Sequence, residues 1–145
     1  MQPKEEFLEK VQRQWYLRHL AAKAVNLALS NEEMIQEDYL YKKERVNDWP
    51  VEERYVLTDK RLLRFLITHE GVESQSLCTA KDIVGITQHF CLKGEGIHAQ
   101  VQASSLKLLL KSGNVIEFTP PEDSFEQEQF KHFVEELISW FYKGA

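Results

Sequence analysis

Three side chains of the kind that hold zinc sit close together in the second half of this chain: His89, Cys91 and His98. If Lys93-Gly94-Glu95-Gly96 closes a hairpin, Cys91 faces His98 across two strands, and His89, two residues earlier, shares that face. Imidazole nitrogen and thiolate sulfur suit zinc, but a closed site takes four ligands and the sequence suggests no fourth. A one-residue slip in register would also send the partners to opposite faces. Cys91 is more simply an ordinary half-buried thiol, so no metal is expected.

Cations make a second constellation. Lys42, Lys43 and Arg45 precede Lys60, Arg61 and Arg64, and the two groups can meet around neighbouring hairpins. Clustered cations offset phosphate charge, and arginine grips it with two parallel hydrogen bonds. Glu44, Glu52, Glu53 and Asp59 interleave with them and cancel much of the potential, so solvated charges with local ion pairs are the expected state. No phosphate loop, GxSxG elbow, HExxH, paired CxxC or EF-hand spacing occurs, and no carboxylate pair is isolated among apolar residues. The chain is therefore expected to be no enzyme and to need no cofactor.

The elements that position these residues follow from periodicity. From Lys4 to Ser30 nothing breaks a helix, and Phe7, Leu8, Val11, Trp15, Ala22, Val25 and Leu29 recur at spacings of three and four. One long N-terminal helix is expected, packed on its own domain or pairing with another subunit, with Trp15 and Tyr16 as candidate contact residues. Residues 31–45 read equally as a short helix capped by Asn31 or as a strand. After Pro50 the pattern turns to strands, with a turn at His69-Glu70-Gly71 and a strand over Val72–Leu77. Alternation over Asp82–Leu92 and Ile97–Lys111 continues the sheet, with a bulge or bend expected near Ser104-Ser105, where the register of the alternation changes. Ser112-Gly113-Asn114 makes a hairpin turn, and Pro120-Pro121 ends the sheet. Asp123 or Ser124 then caps a helix, with Ser124 and Gln127 at capping-box spacing. Phe130, Phe133, Val134, Leu137, Ile138 and Phe141 form its apolar stripe.

The segment Tyr55-Val-Leu-Thr-Asp-Lys-Arg-Leu-Leu-Arg-Phe65 holds two apolar runs around a polar turn, Thr58-Asp59-Lys60-Arg61. Its wording resembles the "YxLTdkRL" hairpin of bacterial-type pleckstrin-homology-like and GRAM-like domains, over roughly Glu53 to Phe141. The resemblance implies an α+β chain: a bent antiparallel sheet or split barrel with a C-terminal capping helix, here preceded by the N-terminal helix. It divides the chain into an extension over residues 1–30 and a PH-like domain over residues 31–145. It implies a binding or self-assembly module with a protein partner or a second copy of itself. The alternative is an adaptor for a phosphorylated lipid headgroup, gripped by Lys42, Lys43, Arg45, Lys60, Arg61 and Arg64. The lysine–arginine pattern of lipid-binding members is not cleanly present.

Composition narrows the classes further. At 145 residues and 43% apolar the chain can bury a core, and a formal charge of −5 argues against nucleic acid as partner. No apolar run approaches a membrane span, and the acidic start at Glu5-Glu6 is unlike a secretory signal. With two cysteines and no export signal, a reduced, cytoplasmic protein is expected.

Overall fold

The N-terminal segment forms two helices where its composition predicts one: α1 (Lys4–Gln14) and α2 (Arg18–Ala28). The chain reverses at Trp15–Leu17, where Leu17 takes a left-handed backbone conformation (φ 49°, ψ 46°) that an L-residue adopts only at a cost. Neither glycine nor proline marks the break. A straight helix over the segment would run roughly 37 Å, while five strands lie about 20 Å across. Folding the segment back lets both halves bury their stripes on one sheet face.

This computed structural model describes residues 1–144 other than Glu95 and Ala99, with only the backbone described at Lys93, His98 and 100–104. The chain divides into two units, Met1–Thr79 and Ala80–Ala145. The division therefore does not fall at residue 30, because the first thirty residues share a core with the strands that follow.

In the first unit β1 (Gln2–Pro3), β2 (Met34–Val46), β3 (Trp49–Thr58), β4 (Leu62–Thr68) and β5 (Gly71–Cys78) make an antiparallel sheet in chain order. The ambiguous segment after Asn31 is thus a strand. Its partner begins after a two-residue turn at Asn47-Asp48, both with positive φ (52° and 66°), the mirror-image turn that matches strand twist. Phe7, Val11, Trp15, Ala21, Ala22, Val25 and Leu29 from the helices meet Ile35, Val56, Leu63, Phe65 and Ile67 from one sheet face.

Lys4 fastens the helix pair. Its Nζ donates to the backbone oxygens of Asn26 (2.9 Å) and Leu29 (2.9 Å) and to Asn31 Oδ1 (3.1 Å), so a buried ammonium caps the C-terminal end of α2. Orphan carbonyls and the negative end of the helix dipole both favour a cation there.

The second unit holds a three-stranded antiparallel sheet of β6 (Ile83–Lys93), β7 (Gln100–Leu110) and β8 (Val115–Phe118), followed by α3 (Ser124–Gly144). The register of β6 against β7 shifts between His89 and Phe90, whose partners are Ser105 and Ala103, so Ser104 is the bulged residue. This is the position at which the alternation changes in the sequence. Gly113 (φ 90°) supplies the left-handed residue of the β7–β8 turn. Asp123 Oδ1 accepts from the backbone N–H groups of Phe125 (2.9 Å) and Glu126 (3.1 Å) and so caps α3. Gln127, at capping-box spacing from Ser124, donates from Nε2 to the backbone oxygens of Pro121 and Glu122. Phe130, Phe133, Val134, Leu137 and Trp140 of α3 are buried, with Phe133 edge-on to Phe118 at 5.4 Å.

Candidate functional site

The β2–β3 hairpin runs past the end of β4, whose ladder with β3 begins at Glu52. Within it Lys43 pairs with Glu52, and Arg45 with Pro50. Alternation along each strand puts these four residues on the side that carries Val56, the side on which the helices pack. There the bend between α1 and α2 brings Gln14, Trp15 and Tyr16 opposite them. The result is an open cleft of about 610 Å³ with one aromatic wall and one charged wall.

Glu44 also lines the cleft, and Glu52, at its buried end, belongs to an ion pair. Glu52 Oε1 accepts from Arg54 Nε (3.1 Å) and from the backbone N–H of Tyr16 (3.1 Å), and the side chains of Glu52 and Arg54 are 5% and 9% exposed. The Arg54 guanidinium lies over the Trp15 ring, 4.8 Å from its centroid, where the ring face stabilises a cation. Glu52 is thereby satisfied from two directions and does not neutralise Lys43. Among the described residues neither Lys43 nor Arg45 makes an ion pair; the Arg45 guanidinium donates only to the backbone oxygen of Asp48 (3.0 Å).

The cations proposed from sequence are not brought together. Lys42, Lys43 and Arg45 lie at the Asn47-Asp48 end of β2, while Lys60 and Arg61 lie in the turn beyond Thr58. Glu52 and Thr58 are six residues apart on β3, which separates the groups by about 20 Å. Arg61 is consumed by structure. Its Nε and Nη2 reach Glu33 (3.2 and 2.6 Å), Nη1 reaches Ser76 Oγ (3.2 Å), and Nη2 also donates to the backbone oxygen of Ala28. Thr58 Oγ1 donates to Glu33 Oε2 (2.8 Å) and accepts from the N–H groups of Lys60 and Arg61. Burial alone would raise the Glu33 carboxyl. The hydrogen bonds from Arg61, Ser30 and Thr58, with the Arg61 charge, outweigh it and hold Glu33 at about 2.

Arg64 is also engaged, donating to Glu53 Oε2 (3.3 Å), to which Tyr55 also donates (2.5 Å). Burial, with the Glu53 hydrogen bond and charge, pushes the Tyr55 phenol up. Lys42 sits over the Tyr41 ring at 5.3 Å, and Lys60 is exposed in its turn.

Trp15 is a core residue and no surface anchor. It is 4% exposed and stands edge-on to Phe7 (5.9 Å) and Phe65 (5.6 Å); a large ring at the helix bend closes the core. Its indole N–H is buried without an acceptor, the only such side-chain group among the described residues. Tyr16, next to it, is half-buried and lines the cleft. The zinc constellation does not form as expected. The β6–β7 ladder closes at Lys93 with Gln100, so Cys91 lies opposite Gln102, His89 opposite Ser105, and His98 in the turn outside the ladder. The His98 side chain lies outside the described residues. No group of three or more histidine, cysteine or acidic residues is placed to hold a metal among those described.

Sequence reading missed Pro50 and Glu52 as parts of the site, and Arg54 as the residue that holds Glu52. The available signal was two opposite charges, Glu52 and Arg54, on one face of a strand that also carries buried Val56. No described helix is long and apolar enough to cross a membrane.

No protein-family model and no curated protein matches the chain. Among solved structures it is similar to the C-terminal domain of an unknown protein from Leishmania infantum, with 12% identity and a TM-score of 0.47 over 88% of this chain and 99% of that one.

Proposed function

We propose that this chain is a non-enzymatic binding module on a PH-like scaffold, and that its ligand is a polypeptide, from another protein or a second copy. The scaffold reading is supported by the hairpin wording at Tyr55–Phe65 and by antiparallel sheets that end in an amphipathic helix. The ligand reading is carried by one observation: the cleft beside Tyr16. It combines an aromatic ring, a proline, two open cations and the Glu44 carboxylate with Glu52, which Arg54 holds in place. Preorganised side chains lose little entropy when a partner docks. A headgroup site built from all six cations has less support, since Arg61 and Arg64 are already paired and Lys60 is about 20 Å from Lys43.

The test is selection of phage-displayed random peptides on the immobilised full chain, beside co-sedimentation with phosphoinositide-bearing vesicles. A recurrent peptide motif, with vesicle binding no greater than to neutral lipid, is the expected result. Selection that enriches nothing overturns the polypeptide reading. Vesicle binding that is lost in Lys60→Glu would replace it with the headgroup reading.

A further inference from the structure

Resting on that reading, we infer that the cleft takes an extended acidic segment of a partner protein, laid along the Lys42–Val46 edge of β2 as an added strand. Within the first sheet β1 covers β2 only at Met34 and Ile35, and no other described strand pairs with β2 on that side. The Lys42–Val46 edge is therefore a row of backbone donors and acceptors open to one more strand, which is how many modules capture extended peptides.

Charge selects the sequence of that strand. Lys43 and Arg45 project to one face of β2, two residues and about 7 Å apart along the strand. An added strand has the same repeat, so acidic side chains at alternate positions meet both cations in register as cross-strand pairs. Glu44 also lines the cleft, so with the charge of Glu52 balanced by Arg54 the two cations Lys43 and Arg45 leave it a net positive charge. A cation pair in an otherwise acidic chain, with formal charge −5, favours an acidic partner at this edge and repels one elsewhere. A backbone edge beside the cations favours a peptide over a compact anion, which would use the charges and leave the edge unfilled.

The experiment is a ¹⁵N-NMR titration of the full chain with a capped Thr-Glu-Thr-Glu-Thr peptide. The Trp15 indole N–H, assigned with Trp15→Phe, serves as a resolved reporter at the cleft wall. Expected are shifts of the Lys42–Val46 amides and the Trp15 indole, at least tenfold weaker binding of the Thr-Gln-Thr-Gln-Thr peptide, and loss of shifts in Lys43→Glu/Arg45→Glu. Both substituted residues are exposed, and the amide spectrum of the variant checks its fold. Shifts that survive in the double variant, or no shifts at all, overturn the inference. So does an equal response to inositol hexakisphosphate, which would mark a small-anion site. If phage selection yields a motif without acidic residues, this inference fails while the polypeptide reading stands.

Discussion

Replacing Glu33 by glutamine should destabilise the first unit by as much as about 3 kcal/mol at neutral pH, and most of that difference should disappear in acid. The Glu33 side chain is 2% exposed and its carboxylate accepts from Arg61, Thr58 and the Ser30 N–H, so the folded state holds it at about 2 against an ordinary 4.5. At about 1.4 kcal/mol per tenfold, that difference amounts to about 3 kcal/mol favouring the folded chain when the group is ionised in both states. The folded value is the depressed one. The stabilisation is therefore complete above about pH 5 and is lost as pH falls from there toward 2. By pH 3 about 2 kcal/mol of it should be gone. Glutamine cannot titrate, so the gap between native chain and variant isolates this group from every other acid.

The assay is urea unfolding at pH 7 and pH 3 in a Trp140→Phe background, where the remaining tryptophans, Trp15 and Trp49, both lie in the first unit. A gap of the same size at both pH values would refute the reasoning, because the interaction would then owe nothing to the carboxylate charge. A gap under about 1 kcal/mol at pH 7 would refute it too, by placing the pair among ordinary surface ion pairs.

Two further substitutions test the frame. Lys4→Met keeps most of the buried volume but leaves the Asn26 and Leu29 carbonyls without their donor, and should lower stability by about 1–3 kcal/mol in the same urea assay. Asp48→Gly should raise the melting temperature, gaining up to about 1 kcal/mol, because glycine takes the 66° φ of the β2–β3 turn without strain; a lower melting temperature would mean that the Asp48 side chain supports the turn.

How much of this was legible in the sequence depended on the range of the forces involved. The Ser104 bulge, the α3 stripe and the Thr58–Arg61 turn are local patterns, and each is found where the sequence puts it. The break at Trp15–Leu17 left no local mark. It is imposed by the burial of Trp15 against Phe65, fifty residues away in sequence, which outweighs the cost of a left-handed leucine. The cleft is equally non-local, since Tyr16 meets Glu52 across 36 residues. Residues 31–45 were ambiguous because Met34, Ile35 and Tyr39 suit either period. The β2–β3 ladder, and not propensity, decides it.

The hairpin that carried the family resemblance is a structural device, and this changes where binding should be sought. Thr58 closes the turn with its hydroxyl, and Arg61 ties that turn to Glu33, Ser76 and the end of α2 through every arm of its guanidinium. A motif of this kind reports how the scaffold is held, while the open cations Lys43 and Arg45 stand in a segment without any recognisable wording. The distinction has a direct test in Arg61→Lys, which preserves charge but replaces a planar fork with a single ammonium. If Arg61 served a ligand through charge, lysine would retain most binding and leave stability unchanged. As a clasp, it should lose about 1–3 kcal/mol of stability, since one ammonium cannot serve acceptors spread around the guanidinium plane. Peptide affinity measured well below the melting transition should stay as in the native chain. A variant of native stability with weakened binding would return Arg61 to the binding surface and undo the assignment of the site to the opposite end of β3.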